Sequence, residues 1–94
     1  MAATLLDPAQ LADLPQRLPA WRLQDGRLCR DFRFADFSEA FGFMARVALA
    51  AEALGHHPDW SNVWNRVSIA LETHDLGGLS TLDLQLADRI DALV

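Results

Sequence analysis

The stretch DWSNVWNRVSIALETH, residues 59–74, decides the fold, because its residues alternate between two faces, with Trp60, Asn62 and Trp64 on one face of the first run and Val67, Ile69 and Leu71 on one face of the second. A period of two is typical of a β-strand with one buried face. Two such runs flank Asn65-Arg66, where the sequence predicts a tight turn. The strand pairs expected from that turn are Trp64 with Val67, Asn62 with Ile69 and Trp60 with Leu71.

A second hairpin is predicted over residues 20–34, AWRLQDGRLCRDFRF. Its turn is Asp25-Gly26, since Asp-Gly is a strong signal for a two-residue hairpin loop. Phe32 and Phe34 lie on one face of its second strand, and Arg30 interrupts that apolar face. Because a charged group is costly to bury alone, the side chain of Arg30 must reach a sheet edge or a partner.

Three helices are predicted around these hairpins. The first starts at Asp7-Pro8, a cap followed by proline at the first helical position, and Pro15 is expected to end it. The second spans residues 36–55, with Gly55 as its stop. The third begins at Ser80, whose hydroxyl suits a helix cap.

The predicted order is α-ββ-α-ββ-α, in a single domain that occupies residues 1–94. Hairpins build antiparallel sheets, and amphipathic helices must bury their apolar sides against something. The predicted fold is therefore α+β, a four-stranded antiparallel sheet with three helices packed on one face.

Composition excludes several functional classes. The formal charge is −5, and the chain has arginines but no lysine. Without a basic cluster or an apolar run of about 20 residues, direct binding to nucleic acid or to a membrane is not expected. Cys29 is the only cysteine, so we expect it to pack inertly in a reducing compartment. The N-terminal MAATLLDPAQ lacks the features of a signal peptide, which favours a cytoplasmic location.

Helix 36–55 is apolar nearly all round, so we expect it to be covered on two sides. The sheet of one chain can cover only one of them. We therefore expect a homo-oligomer, a dimer or tetramer, that forms through this helix and is broken by a charge at Phe43 or Val47. The alternative is an ordinary alanine-rich surface. The polar positions between Phe37 and Leu54 are Ser38, Glu39, Arg46 and Glu52, together with Gly42.

The chain has three histidines, and the predicted topology brings them together. His56 and His57 follow the stop of the long helix, and His74 follows the last strand. In the expected register His57 lies opposite His74, because the start of one antiparallel strand meets the end of its partner. All three imidazoles should therefore gather at one end of the sheet.

Three interpretations of this cluster compete. Three imidazoles are a common zinc set, but adjacent histidines tend to point apart, and the i, i+4 spacing of zinc enzymes is absent. The cluster could also be ordinary loop structure. The third interpretation is proton transfer, since imidazole titrates near neutrality. The helix C-terminus favours a protonated imidazole at His56 or His57, which suits a general acid.

These residues form one pattern with fixed intervals, Glu52-x3-His56-His57-Pro58-x5-Trp64-x9-His74-x8-Asp83. The pattern resembles the signature of the pterin-4a-carbinolamine dehydratase family, and the likeness extends over about residues 20 to 93. The resemblance implies dehydration of 4a-hydroxytetrahydrobiopterin to quinonoid dihydropterin, which recycles the pterin of aromatic amino acid hydroxylases. It implies no metal and no organic cofactor. Action on a different pterin, such as a molybdopterin precursor, stays open.

The resemblance also implies roles for individual residues. His56, His57 and His74 would form the acid–base set. Glu52 and Asp83 would orient the histidines or the pocket backbone, and Asp83 fits equally as a helix cap. The residues implied to bind the pterin are Pro58, Thr73, Asp75, Leu76 and Trp21, of which the last also fits a buried strand position.

Two hypotheses on function follow. The first is a dehydratase that binds a small-molecule pterin and, by resemblance, forms a homotetramer through the long helix. The second is a non-catalytic regulatory or binding scaffold that acts through the same helix. The complete histidine set favours the first hypothesis.

Overall fold

The computed structural model describes residues 3–94. Its elements follow one another in the predicted order, with a 3₁₀ turn added before the last helix. In chain order they are α1 (Pro8–Arg17), β1 (Arg22–Gln24), β2 (Arg27–Arg33), α2 (Phe37–Leu54), β3 (Asp59–Val63), β4 (Arg66–Leu71), the 3₁₀ turn (His74–Leu76) and α3 (Thr81–Asp91).

The two hairpins lie side by side and form one sheet. The strand order is β1-β2-β4-β3, and every neighbouring pair is antiparallel. Alternate residues such as Leu28, Val67 and Ile69 are buried on one face of the sheet, where side chains of the three helices complete the core. The predicted α+β fold, with its order α-ββ-α-ββ-α, is confirmed.

The first hairpin has the predicted turn. Asp25 and Gly26 both take positive φ angles, 54° and 76°, as a primed two-residue loop requires. Arg30, which interrupts the apolar face of β2, reaches Asp91 at the end of α3. Its guanidinium carbon also lies 4.6 Å from the centre of the Phe32 ring. The partner that the sequence required for Arg30 is therefore a carboxylate on α3.

The second hairpin turns one residue earlier than expected. Trp60 pairs with Ile69 and not with Leu71, so the loop is Trp64-Asn65. In this register the side-chain amide of Asn65 is buried and donates a hydrogen bond of 2.9 Å to the backbone oxygen of Phe34. The turn is thereby attached to the neighbouring hairpin. Trp64 takes a positive φ of 51°, which is uncommon for a bulky residue.

The expectation that Pro15 ends the first helix is wrong, since α1 continues through it to Arg17. Pro15 removes one backbone donor from the helix. Tertiary contacts outweigh that loss, because Leu14 and Leu18 are buried on either side of it. Arg17 also forms two hydrogen bonds with Asp88 of α3, which raise the pKa of its guanidinium.

Helix α2 starts and ends at the predicted residues. Asp36 caps it by accepting a hydrogen bond from the backbone of Glu39, and Gly55 ends it in the left-handed conformation. The ring of Phe43 lies against β2, with its centre 4.7 Å from that of Phe32. The buried positions recur with helical spacing and are Ala40, Phe43, Val47 and Ala51.

The opposite side of α2 is both apolar and exposed. The exposed fractions of Phe37, Phe41 and Leu49 are 51%, 58% and 73%. Ala45 and Ala48 lie on the same side and are also exposed, and we call these five residues the α2 stripe. No helix within residues 3–94 is long and apolar enough to cross a membrane.

The expectation that a charge at Phe43 or Val47 would break an oligomer is wrong. Phe43 and Val47 are fully buried in the core of the single chain. A charge at either position would disrupt that core and would not test an interface between subunits. A surface that α2 could offer to a second chain is the α2 stripe.

We predict that Asn65→Asp lowers the free energy of unfolding by about 1–3 kcal/mol, because a buried donor is replaced by an acceptor that faces the Phe34 oxygen. Asn62→Asp is the matched control. The Asn62 amide donates to backbone oxygens in an exposed part of the same hairpin, so water can replace its bonds. Urea unfolding measures both. Equal losses for the two variants would show that the buried bond of Asn65 contributes no more to stability than the exposed bonds of Asn62.

Candidate active site

A cleft opens where α2 ends and where β4 leads into the 3₁₀ turn. Its volume is about 240 Å³. All three histidines line it, as the topology predicted, although the register is shifted and His57 does not pair with His74. The lining residues are Gly55, His56, His57, Glu72, Thr73, His74 and Asp75.

The end of α2 presents two of these histidines. Gly55 has a φ of 65°, and its N–H bonds to the oxygen of Glu52. The N–H of His56 bonds to the oxygen of Ala51, which completes a Schellman motif. This motif sends adjacent side chains in different directions, so that His56 is buried and His57 is 69% exposed.

His56 contacts a carboxylate that has no access to solvent. Its Nε2 lies 2.6 Å from Oδ1 of Asp83. The other oxygen of Asp83 accepts hydrogen bonds from the Thr73 hydroxyl, at 2.8 Å, and from the backbone N–H of Ser80, at 2.9 Å. Asp83 is therefore a helix cap through one oxygen and the partner of a histidine through the other.

The other two imidazoles face water. Nε2 of His57 lies 3.4 Å from Glu52, and Nε2 of His74 lies 3.2 Å from Glu72. His74 is 78% exposed. Both rings are therefore accessible to solvent and to a ligand in the cleft.

A compact loop holds His74 at the cleft. The backbone N–H of Thr73 bonds to the oxygen of Gly78 at 2.9 Å, and Gly77 bonds back to the oxygen of His74 at 3.0 Å. Gly77 takes a φ of 71°, which glycine adopts without a steric penalty. The segment from β4 to α3 is therefore a closed loop with its side chains in defined positions.

Comparisons with known proteins show which family the chain belongs to. The family model described as "Pterin 4 alpha carbinolamine dehydratase" matches residues 4–93. The chain belongs to this family. A protein of Synechococcus sp. strain WH7803, named "Putative pterin-4-alpha-carbinolamine dehydratase", is 63% identical over 97% of this chain and 98% of its own length. A protein of the same name from Rhodospirillum rubrum is 58% identical, over 100% and 99% of the two chains.

Two solved structures resemble this family member. A Brucella melitensis protein described as a "transcriptional coactivator/pterin dehydratase" has a TM-score of 0.89 and 40% identity, over 96% of this chain and 98% of its own. A second, described as "a pterin dehydratase-like protein as a RuBisCO assembly factor in the alpha-carboxysome", has a TM-score of 0.67 and 28% identity. It covers 79% of this chain and 88% of its own.

Most of the predicted site residues lie at the cleft or next to it. Thr73 and Asp75 line it beside the histidines, and Glu52 and Asp83 each contact a histidine. Pro58 and Leu76 are chain neighbours of lining residues and are not among them. Their roles in binding a pterin, like those of the lining residues, stay predictions.

Trp21, which was predicted to border the pterin, lies in the core of this family member. Its side chain is buried, and its indole Nε1 donates a hydrogen bond of 2.8 Å to Asp91. Asp91 is the last residue of α3, whereas the His56 partner Asp83 lies in the first turn. In a single chain Trp21 is therefore a core residue, which was the alternative interpretation.

Two residues at the site were not predicted from the sequence. Glu72 lines the cleft and contacts His74, and its position two residues before that histidine was the available signal. Ser80 was identified only as a helix cap. Its hydroxyl also lies 2.6 Å from that of Thr73, a contact that no local pattern indicates.

The open face of the sheet holds a larger hollow of about 300 Å³. Its charged groups are paired with one another, Arg22 with Asp31 and Arg27 with Asp59. No histidine lines it. The cleft with the three imidazoles is therefore the better candidate for proton transfer. Within residues 3–94, no group of three or more His, Cys, Asp or Glu side chains is arranged to hold a metal ion.

We predict that Gly55→Ala lowers the free energy of unfolding by about 1–2 kcal/mol, since a side chain disfavours the left-handed conformation even where space is open. Gly42→Ala is the matched control in the same helix. Its added carbon would meet only Arg46, at 3.8 Å, and alanine should stabilise the helix by about 0.5–1 kcal/mol. Urea unfolding should show a lower free energy of unfolding for Gly55→Ala and a higher one for Gly42→Ala. A change in the same direction for both variants would contradict this account of the turn.

Proposed function

We propose that this chain is a 4a-hydroxytetrahydrobiopterin dehydratase, a cytoplasmic hydro-lyase that acts in tetrahydrobiopterin recycling for aromatic amino acid hydroxylation. The observation that carries the proposal is the placement of His56, His57 and His74 around one cleft, with a buried carboxylate behind His56. Membership of the family supports the reaction class.

The reaction needs one acid and one base. An imidazolium donates a proton to the hydroxyl on C4a, the C4a–O bond breaks, and water leaves. A neutral imidazole accepts the proton from N5 as the C4a–N5 double bond forms. Proton transfer of this kind by a positioned side chain contributes typically ~10²–10⁴-fold to the rate. No electrons are gained or lost, so the step requires no redox cofactor.

The properties of the three rings suit this division of labour. His56 is buried and held by Asp83, so it offers a fixed position. His57 and His74 are exposed, so they can exchange protons with water and restore the starting protonation state after each turnover. The cleft, at about 240 Å³ and open to solvent, admits a flat bicyclic ring whose substituent extends outward.

We also propose a homo-oligomer formed through the α2 stripe. Phe37, Phe41 and Leu49 form an exposed apolar surface on one side of a single helix. Burial of such residues is favourable by about 25 cal/mol per Å² of apolar surface. A bundle of such helices from two or four chains would bury these sides, as a homodimer or homotetramer requires.

The second candidate function is a non-catalytic binding scaffold. The α2 stripe favours it, because the same surface would fit an apolar helix of a partner protein. A structural relative is described as a RuBisCO assembly factor. The two candidates differ in a simple way: only the first requires that the purified chain accelerate the dehydration.

We predict that His56→Asn, His57→Asn and His74→Asn each slow the reaction, by about 10²–10⁴-fold where the ring transfers a proton in the rate-limiting step. The assay follows the decay of chemically generated 4a-hydroxytetrahydropterin. Asp31→Asn, on the open face of the sheet, is the control and should keep the wild-type rate. If all three histidine variants matched the wild type, the proposed chemistry would be refuted.

We predict that Phe41→Glu and Leu49→Glu convert the oligomer to monomers, because each places a charge inside the apolar interface. Light scattering measures the mass. Arg22→Glu, a charge change on the open face of the sheet, should leave the mass unchanged. A monomeric wild type at micromolar concentration would rule out the interface.

A further inference from the structure

We infer that Thr73 and Ser80 are positioning residues, whose hydroxyl groups fix the tautomer of His56. In that tautomer the ring hydrogen is on Nε2, and Nδ1 is the atom presented to the substrate. The kinetic part of this inference rests on the proposed function. The structural part, the position of one proton on one ring, does not.

Four groups form an unbroken chain behind the cleft. The hydroxyls of Ser80 and Thr73 lie 2.6 Å apart, and the Thr73 hydroxyl lies 2.8 Å from Oδ2 of Asp83. Oδ1 of Asp83 lies 2.6 Å from Nε2 of His56. All four residues are buried, so water does not compete for these bonds.

The number of hydrogens sets the direction of the chain. Each hydroxyl carries one hydrogen, and the hydrogen of Thr73 is donated to Oδ2 of Asp83. The short contact between the hydroxyls must therefore use the hydrogen of Ser80. Ser80 in turn accepts a hydrogen bond from the backbone N–H of Leu82. Every donor in the chain thus points from the start of α3 toward Asp83.

This direction of the hydrogen bonds determines that Asp83 is an acceptor and which nitrogen of His56 carries the hydrogen. Oδ2 accepts from Thr73 and from the backbone of Ser80, which leaves Oδ1 for the histidine. Asp83 thus acts as an acceptor toward both Thr73 and Ser80, and an ionised carboxylate has no hydrogen to donate, so Nε2 of His56 is the donor to Oδ1. With Nε2 occupied, Nδ1 is the atom that can take or give a proton.

The N-terminal segment seals this chain from solvent. The N–H of Leu6 bonds to the oxygen of Leu79, and the N–H of Thr81 bonds to the oxygen of Thr4, both at 3.0 Å. These bonds hold the segment alongside Ser80, whose exposure is zero. Ser80 is therefore held in a buried site, where hydrogen bonds are strong.

Nitrogen-15 NMR of histidine-labelled protein tests the tautomer directly. The chain has three histidines, so the ring signals are few, and the spectrum of His56→Asn assigns those of His56. We expect a protonated Nε2 in the wild type. Asp83→Asn is the reference variant, because its amide N–H would donate to Nε2 and force the proton to Nδ1.

Thr73→Val and Thr73→Ser form the matched pair. Valine keeps the shape of threonine and removes the donor to Asp83, so we expect a mixture of His56 tautomers and roughly tenfold lower kcat, with KM within about twofold. Serine keeps the hydroxyl and should restore both values. Ser80→Ala and Ser80→Thr provide the same comparison at the next hydroxyl of the hydrogen-bond chain, one group further from Asp83. They replace the first pair if Thr73→Val does not fold.

The outcomes separate this inference from the proposed function. A wild type without dehydratase activity, in which Thr73→Val still alters the His56 tautomer, would remove the function and leave the positioning chain intact. An active enzyme whose Thr73→Val and Ser80→Ala variants keep both the Nε2–H tautomer and the wild-type kcat would overturn the inference. Loss of activity with an unchanged tautomer would also overturn it, since the hydroxyls would then act in another way.

Discussion

The carboxylate of Asp83 is the group on which the candidate site depends. It has no contact with solvent, and a buried charge is stable only when hydrogen bonds satisfy it. Its partners are His56 after α2, Thr73 after β4 and Ser80 at the start of α3. The end of α2, the end of β4 and the start of α3 therefore meet at one group, and the position of the cleft follows from that.

The same constraint divides the three imidazoles into two kinds. His56 is bound to a buried carboxylate and is nearly excluded from water, whereas His57 and His74 lie in solvent, beside Glu52 and Glu72. Acid–base catalysis benefits from both kinds, because it needs a ring in a defined position and rings that exchange protons rapidly with water. A metal site would instead need the three rings to converge on one point.

Tertiary contacts overrode local signals at particular residues. Pro15 does not end α1, because burial of the leucines around it favours a continued helix. The second hairpin turns at Trp64-Asn65, where the amide of Asn65 bonds to the neighbouring hairpin. In α2 the apolar residues surround the helix, so periodicity could not show that Phe43 is buried and Phe41 exposed. Only the docking of the helix on the sheet decided that.

The sequence by itself determined the order of the elements, the Asp-Gly turn, the stop at Gly55 and the gathering of the histidines. These depend on interactions between near neighbours, and the ends of adjacent antiparallel strands meet in any register. The tertiary structure alone decided that Trp21 bonds to Asp91 and that Ser80 and Thr73 stand behind His56. Such contacts join residues from separate elements, so they exist only once helices and sheet have packed together.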